Sequence, residues 1–154
     1  MSTNDHLGTP AKGFTPSDTL NKLNLWKSQI HHFEPTEFDS PDLPGSGLDH
    51  MNVAFVAQLD ILRERCGFPF KIHSGYRTPS HNATVGGVDS SAHEAGLAAD
   101  VEAVDSTSRF RIIQNALSLG FARIGIGNSF VHLDVDPSKA QNVVWLYPPT
   151  SVRA

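Results

Sequence analysis

The sequence predicts a single α+β domain in which a small antiparallel sheet is flanked by helices. The chain has 154 residues, a length that fits one domain with one core. Hydrophobic residues make up 39% of it and charged residues 18%, as in ordinary globular proteins. Segments with a helical spacing of apolar residues alternate with short strand-like segments, and several strand-like segments follow one another near the C-terminus.

The chain is predicted to divide near residue 30. Its first part contains Gly, Pro and small polar residues without a clear periodicity. We therefore expect residues 1–30 to form an N-terminal arm or extension and residues 31–154 to form the folded domain.

The first helix is predicted to begin after Asp49, which can cap it, and to end before Gly67. Its apolar residues follow a spacing of 3.6 and are Val53, Phe55, Val56, Leu59, Leu62 and Cys66. Residues 70–74 alternate apolar and polar side chains as a strand does, and residues 75–91 have the composition of a long loop. Loops of that length are usually functional.

The second half of the domain is predicted to contain four strands and one helix. Residues 98–101, 123–126, 130–135 and 143–147 are the strands, and the second and third flank a turn at residues 127–129. The helix is expected to open at Ser106 or Thr107 and to close at Gly120. The residues expected on its inward face are Phe110, Ile113, Ala116 and Leu117.

Composition argues against several classes of partner. The net charge is -4 and no Lys/Arg-rich run occurs, so nucleic acid is not an expected partner. No stretch approaches the roughly 20 apolar residues of a membrane-spanning helix. The first thirty residues lack the features of a secretory signal, so we expect synthesis in the cytoplasm without a Sec signal. Cys66 is the only cysteine and is expected to be a buried, inert thiol, and a monomer is the simplest expectation.

Histidine and aspartate residues near two predicted strands suggest a metal site. A turn containing Gly96 separates His93 from Asp100, which begins a strand, so the two side chains can converge on one ion. In the strand at 130–135, alternation places His132 and Asp134 on the face opposite to Val131, Leu133 and Val135. A His-x6-Asp pair alone is a weak signal, because such residues often only form hydrogen bonds within turns.

Five segments give this pattern a specific meaning. In chain order they are Ser74-Gly75-Tyr76-Arg77-Thr78-Pro79, His81-Asn82, Val85-Gly86-Gly87, the Ser-x-His-x-x-Gly-x-Ala-x-Asp run from Ser91 to Asp100, and Phe130-Val131-His132-Leu133-Asp134. Together they resemble the D-alanyl-D-alanine carboxypeptidase and L-alanyl-D-glutamate endopeptidase family of zinc enzymes. That family includes phage endolysins and murein peptidases and shares its metal-site architecture with the hedgehog signalling domain. The resemblance covers residues 33–147 and implies that residues 31–154 are a zinc peptidase domain.

The resemblance also implies roles for particular residues. His93, Asp100 and His132 would be ligands of Zn²⁺. Arg77 would hold the substrate carbonyl or the developing oxyanion, although an arginine in such a loop can also be purely structural. The family's general base is usually an acid three residues before the last ligand, where this chain has Ser129.

Asp134 is the substitute that we expect for the missing base, because it shares a strand face with His132. It can equally serve only to orient His132, since metal-bound histidines usually donate their other N–H to an acceptor. Asp136 and Glu94 are weaker candidates. The aromatic residues Tyr76, Trp145 and Tyr147 can line a peptide groove or simply pack at its rim.

The expected activity is hydrolysis of peptide bonds in the stem peptides or cross-links of bacterial peptidoglycan. An endopeptidase of the endolysin type is favoured over a D,D-carboxypeptidase, by analogy with phage enzymes that are made in the cytoplasm and released to the cell wall. A noncatalytic zinc-binding module of the wall-binding or virion type is the main alternative, since the usual acid is absent. A metal-independent interaction domain is a second alternative.

Overall fold

A computed structural model describes residues 15–149 and shows helices packed against one five-stranded sheet. The α-helices are α1 (Pro16–Gln29), α2 (Ser46–His50), α3 (Val53–Cys66), α4 (Pro79–Thr84) and α5 (Ser106–Ser118), and a 3-10 helix spans Pro35–Phe38. The strands are β1 (Ile72–Ser74), β2 (Ala98–Glu102), β3 (Arg123–Ile126), β4 (Phe130–Asp134) and β5 (Val143–Leu146). The predicted α+β class is confirmed.

The sheet is mixed rather than wholly antiparallel. Its strand order is β1-β2-β4-β3-β5, and β5 runs parallel to β3 while the other neighbours are antiparallel. The reason lies in the connection after β4. Strand β4 returns beside β3 through a hairpin, so the chain leaves β4 at the end of the sheet where β3 began. Residues 135–142 then cross to the other side of β3, and β5 must run in the same direction as β3.

Strand register places one row of residues across the whole sheet. Ser74 lies opposite Asp100, Asp100 opposite His132, His132 opposite Gly125, and Gly125 opposite Trp145. Residues in such a row point to the same face of a sheet. The other face carries Ala99, Val101, Ile124, Val131 and Leu133, which belong to the core with residues of α3 and α5. The apolar face of the sheet therefore packs into the core, and the opposite face, which carries the row from Ser74 to Trp145, can form a site.

The N-terminal segment contributes to this core. Residues 1–14 of the predicted extension lie outside the described residues, and the rest of it contains α1. Trp26 and Ile30 are 1% and 4% exposed, and the Trp26 indole N–H donates to the Phe33 carbonyl at 2.7 Å. The division at residue 30 stays a prediction, but the second half of that segment packs with the domain.

The start of α5 at Ser106 agrees with the prediction, whereas the residue predicted to cap α3 is wrong. Asn52, not Asp49, caps α3, because its side-chain oxygen accepts from the Phe55 N–H at 2.9 Å. Asp49 instead lies in α2. Asp105 caps α5 by accepting from the Ser108 N–H at 2.8 Å. In each case the capping residue lies directly before the helix that it serves.

The inward face of α5 agrees with the prediction only in part. Ala116 is buried as predicted, but Phe110 and Leu117 are 63% and 55% exposed. Ile113 is partly buried and packs against the core as predicted, and Ile112, which was not predicted, is the other fully buried residue of the helix. The predicted loop at 75–91 contains the short helix α4, which Thr78 caps. Among residues 15–149, no helix is long and apolar enough to cross a membrane.

Candidate metal centre

The three predicted metal ligands lie together on the polar face of the sheet. His132 Nδ1 lies 2.9 Å from Asp100 Oδ1 and 3.2 Å from His93 Nε2, and His93 Nε2 lies 3.4 Å from Asp100 Oδ1. The exposed fractions of His93, Asp100 and His132 are 1%, 0% and 5%. The structure thus gathers one atom from each residue into a small, buried triangle that could hold a metal ion.

Two features of the chain build this triangle. Asp100 and His132 are direct cross-strand partners on β2 and β4, so the sheet itself brings them together. His93 comes from the turn that precedes β2, which is held by a hydrogen bond from the Arg77 N–H to the His93 carbonyl at 3.2 Å. Gly96 closes the turn with a φ of +71°, and a Cβ there would lie only 1.9 Å from the His50 carbonyl oxygen. A residue with a side chain cannot replace it without moving the turn.

The outer nitrogen of each imidazole is engaged with a fixed acceptor. His93 Nδ1 lies 2.7 Å from the Gly75 carbonyl oxygen, so it carries the proton and donates it there. His132 Nε2 lies 2.7 Å from Asp134 Oδ2 and donates to that carboxylate. In its neutral form each ring therefore directs a lone pair at the triangle, which is the arrangement found around metal-bound histidines.

These atoms fit a small four-coordinate ion. Two imidazole lone pairs and one carboxylate oxygen that face each other at 2.9–3.4 Å repel one another unless a proton or a cation lies between them. A tetrahedral ion with ligand bonds of 2.0–2.1 Å separates its ligand atoms by about 3.3 Å. The size of the triangle and the chemistry of its atoms both match this requirement.

The charge states of the group follow from its surroundings. Burial raises the pKa of Asp100, but the imidazoles of His93 and His132 outweigh burial and hold that pKa well below its ordinary value. Burial lowers the pKa of His93. Burial also acts to lower the pKa of His132, yet hydrogen bonds to Asp100 and Asp134 outweigh it and raise the pKa. The carboxylate is thus ionised, and a proton and a cation compete for His132.

Arg77 lies behind Asp100, where it is 0% exposed. Its Nη2 donates to Asp100 Oδ2 at 3.1 Å, its Nε donates to the Ser74 hydroxyl at 2.8 Å, and its Nη1 donates to Asn82 Oδ1 at 3.3 Å. The guanidinium fixes the outer oxygen of Asp100 and leaves Oδ1 directed at the two histidines. This position favours the structural role for Arg77 over contact with the substrate.

Asp134 is bonded through both carboxylate oxygens. Oδ2 accepts from His132, and Oδ1 accepts from Arg123 Nε at 2.6 Å and from the Asp136 N–H at 3.1 Å. Burial raises the pKa of Asp134, but the bonds from His132 and Arg123 outweigh it and lower the pKa. The carboxylate meets the imidazole at the nitrogen opposite to the one in the triangle. This geometry favours an orienting role over the role of general base.

A cleft of about 220 Å³ opens beside the triangle. Its lining residues are Val88, Ser91, Ala92, His93, Arg123, His132, Asp134, Lys139, Trp145 and Tyr147. The rings of Trp145 and Tyr147, which we call the aromatic wall, have centroids 5.3 and 6.1 Å from that of His132. These two residues therefore line a groove, as one of the two sequence interpretations expected.

Gly125 makes room for the aromatic wall. It lies between His132 and Trp145 in the cross-strand row, and a Cβ there would come within 2.6–2.7 Å of both rings of the wall. Tyr76, the third aromatic candidate, instead stacks on His50 with ring centroids 4.3 Å apart. The wall is thus built from β5 and the residue just after it.

The other candidate acids do not line the cleft. Asp136 is buried and accepts from the Ser138 N–H at 2.9 Å and from its hydroxyl at 2.6 Å, so it stabilises a turn. Glu94 is partly buried outside the cleft lining. Ser129, at the position of the family's usual acid, lies in the hairpin before β4, and its carbonyl accepts from the Ala103 N–H. Of the described residues that line the cleft, Asp134 is the one carboxylate.

Two cationic residues of the cleft, Arg123 and Lys139, were missed by the sequence analysis. Arg123 begins β3 two residues before Gly125, so strand alternation alone places it on the polar face. It ion-pairs with Asp134 and its guanidinium lies 4.9 Å from the Trp145 ring. Lys139 lies in the connection between β4 and β5, where no periodicity signals its direction.

The comparison with protein families agrees with the geometry of the site. A family model described as Peptidase M15 matches residues 14–134, which include all three predicted ligands and Asp134. No curated protein matches the sequence at a significant level.

Proposed function

Since the chain belongs to the peptidase M15 family, we propose that it is a zinc-dependent peptidase that hydrolyses peptide bonds of bacterial peptidoglycan. The observation that carries this proposal is the triangle formed by His93 Nε2, Asp100 Oδ1 and His132 Nδ1. The triangle lies at the base of a cleft, and both outer imidazole nitrogens are already bonded to acceptors.

The donor set supports zinc as the ion. Two imidazole nitrogens and one carboxylate oxygen are ligands that Zn²⁺ accepts, and three protein ligands leave a fourth position for water or substrate. His93 and His132 line the cleft, so an ion held by them would be close to the space where a peptide would lie. Structural zinc sites, by contrast, are closed by four protein ligands.

The residues around the proposed ion have different roles in the reaction. A bound zinc ion supplies Lewis acidity and lowers the pKa of a water ligand toward neutrality. Arg77 holds the outer oxygen of Asp100, and Asp134 holds the outer nitrogen of His132, so both ligands keep their orientation. Preorganised ligands of this kind avoid the cost of rearrangement when the substrate binds.

Within this activity we favour an endopeptidase of the endolysin type, acting at the cell wall after release from the cytoplasm. The support is the resemblance of the five motif segments to a family that includes phage endolysins. The aromatic wall adds a surface against which the peptide beside the cleaved bond can pack.

A noncatalytic zinc-binding module is the second candidate, and one observation favours it. The usual acid is replaced by Ser129, and the carboxylate of the described cleft is bonded through both oxygens. Such a protein would bind zinc and peptidoglycan but would release no fragments.

One experiment separates these possibilities. Purified peptidoglycan is incubated with the zinc-loaded protein and with His132→Ala, zinc content is assayed in each, and released fragments are identified by mass spectrometry. His31→Ala is a matched control, because His31 is exposed and lies outside the cleft lining. We expect defined peptides from the wild type and the control, and loss of both zinc and activity in His132→Ala.

Two other outcomes would lead to different conclusions. Stoichiometric zinc without any released fragment, from walls of several chemical types, would favour the binding module. Absence of zinc uptake by the wild type would refute the metal centre itself. The fragments also report which peptide bond is cleaved.

A further inference from the structure

We propose that Lys139 binds a free carboxylate of the substrate next to the scissile bond, so that the cleft selects acidic peptides over their amides. This inference rests on the proposed peptidase function and names the group of the substrate that the cleft recognises. It follows from the position of Lys139, from the absence of a charge partner among the described residues, and from the charge balance of the cleft.

The backbone that carries Lys139 is held firmly at the cleft. The Asp136 side chain accepts from both the N–H and the hydroxyl of Ser138, and the Gln141 side chain donates to the Asp136 and Lys139 carbonyls at 2.9 Å each. On the next residue, the Ala140 carbonyl accepts from Arg123 Nη1 at 2.6 Å. A turn bonded on all these sides presents its lysine from a fixed point, which reduces the entropy lost when a ligand binds.

Among the described residues that line the cleft, Lys139 is the one cation without an internal counter-ion. Arg123, the other cation in the lining, is paired with Asp134, and Arg77 behind the cleft is paired with Asp100. Within residues 15–149, no carboxylate forms an ion pair with the Lys139 ammonium, and the side chain is partly buried at the cleft.

The charge balance of the cleft points the same way. Arg123 and Asp134 compensate each other, so Lys139 adds one uncompensated positive charge to the lining of the cleft, in a protein whose net charge is -4. A cationic cleft in an acidic protein attracts an anionic group and directs it. An ammonium and a carboxylate form a charge-assisted hydrogen bond, which is stronger than one between neutral groups.

Two carboxylates of a peptidoglycan stem peptide offer this chemistry. One is the C-terminal carboxylate, which lies next to the bond that a carboxypeptidase cleaves. The other is the internal α-carboxylate of a γ-linked D-glutamate, which lies next to the bond cleaved by an L-alanyl-D-glutamate endopeptidase. Both present the same anionic group, and amidation of one at a time distinguishes them.

The test uses three synthetic stem peptides and four proteins. The peptides carry both free carboxylates, an amidated C-terminus, or an amidated internal carboxylate. The proteins are the wild type, Lys139→Gln, Lys139→Arg, and the control Lys71→Gln, whose side chain is 73% exposed. Steady-state kinetics give kcat and KM for each combination of protein and peptide. Calorimetry measures binding of the same peptides to the metal-free proteins.

We expect amidation of one particular carboxylate to weaken binding by the wild type about tenfold or more, as for loss of a hydrogen bond to a charged group. Lys139→Gln should raise KM by a similar factor for the free acid, change KM little for the matching amide, and leave kcat unchanged. Lys139→Arg should restore most of the affinity, and Lys71→Gln should behave as the wild type.

The result that overturns the inference is equal binding of acid and amide peptides by the wild type, or an equal effect of Lys139→Gln on both. Because calorimetry uses the metal-free protein, this comparison does not depend on turnover. A protein that binds acids better than amides through Lys139 but cleaves nothing would refute the proposed peptidase and retain the carboxylate site.

Discussion

The substitution Asp134→Asn tests how the metal centre is organised. It keeps the shape of the side chain but replaces an anionic acceptor with an amide. In the structure, Asp134 Oδ2 accepts from His132 Nε2 at 2.7 Å and Oδ1 accepts from Arg123 Nε at 2.6 Å. An asparagine can accept one of these bonds through its oxygen, but its NH₂ group then faces a donor. Either His132 or Arg123 therefore loses its partner.

The size of the effect follows from the position of this carboxylate. Loss of a group that orients a metal-bound histidine typically weakens metal affinity by about 10- to 100-fold, which corresponds to about 1.4–2.7 kcal/mol. The side chains of Arg123 and Asp134 are 11% and 1% exposed. Removing the charged acceptor from this pair should therefore also lower the free energy of unfolding by about 1–3 kcal/mol.

The assay measures zinc affinity and turnover separately. Zinc affinity is obtained by competition with a chromogenic chelator, and turnover is measured at saturating zinc on purified peptidoglycan. Asp49→Asn is the matched control, because the Asp49 side chain is 29% exposed and its pair with Lys22 is long at 3.5 Å. We expect Asp134→Asn to lose zinc affinity and to regain much of its turnover when zinc is saturating.

The opposite pattern would refute this reasoning. If zinc affinity stays within about twofold of the wild type while saturated turnover falls at least 100-fold, Asp134 acts as the general base. If neither quantity changes, Asp134 has neither role.

Four further experiments test other parts of the structure. Zinc added to the metal-free protein at about 100 times its Kd should stabilise the fold by about 2.7 kcal/mol and raise the Tm by about 8 °C in calorimetry; an unchanged Tm would argue against a preformed site. Zinc affinity should fall about tenfold per pH unit below the raised pKa of His132, because a proton then occupies the ligand nitrogen. Chelator competition from pH 8 to pH 5 measures this dependence, and an affinity that does not change with pH would contradict it. Arg77→Ala should destabilise the fold by about 3–5 kcal/mol in urea unfolding, because Asp100 stays buried without its cation, whereas the exposed control Arg65→Ala should change little. Gly125→Ala should displace the aromatic wall and raise KM while zinc affinity stays near that of the wild type, and an unchanged KM would show that the wall does not contact substrate.

Local patterns in the sequence predicted much of what positions the site. The alternation of residues 130–135 correctly separated His132 from Val131 and Leu133, because a strand's period of two is a local property. The resemblance to a zinc peptidase family selected His93, Asp100 and His132, and the structure brings these three together. The family itself is confirmed by the match over residues 14–134.

Features that depend on distant contacts were not predictable in this way. The parallel placement of β5 depends on which edge of the sheet the chain reaches, and neither composition nor periodicity encodes that choice. The pairing of Arg77 with Asp100 joins residues 23 positions apart, so the sequence left its role open. Which nitrogen of His132 meets Asp134 depends on a side-chain rotation that no motif specifies.

The order of the strands separates the predicted metal ligands from much of the proposed substrate-binding surface. Every predicted ligand lies within the segment that matches the family, whereas Lys139, Trp145 and Tyr147 lie after Asp134, where that match ends. These three residues reach the cleft on the last connection and on an edge strand that has one neighbour in the described sheet. Under the proposed function, a change of sequence at this end of the domain would alter which peptide is accepted without replacing any predicted ligand. The two parts are joined through Arg123, which donates both to the Ala140 carbonyl and to Asp134, the acceptor for His132. A new C-terminal segment would therefore have to keep a carbonyl at that position if the orientation of His132 is to be preserved.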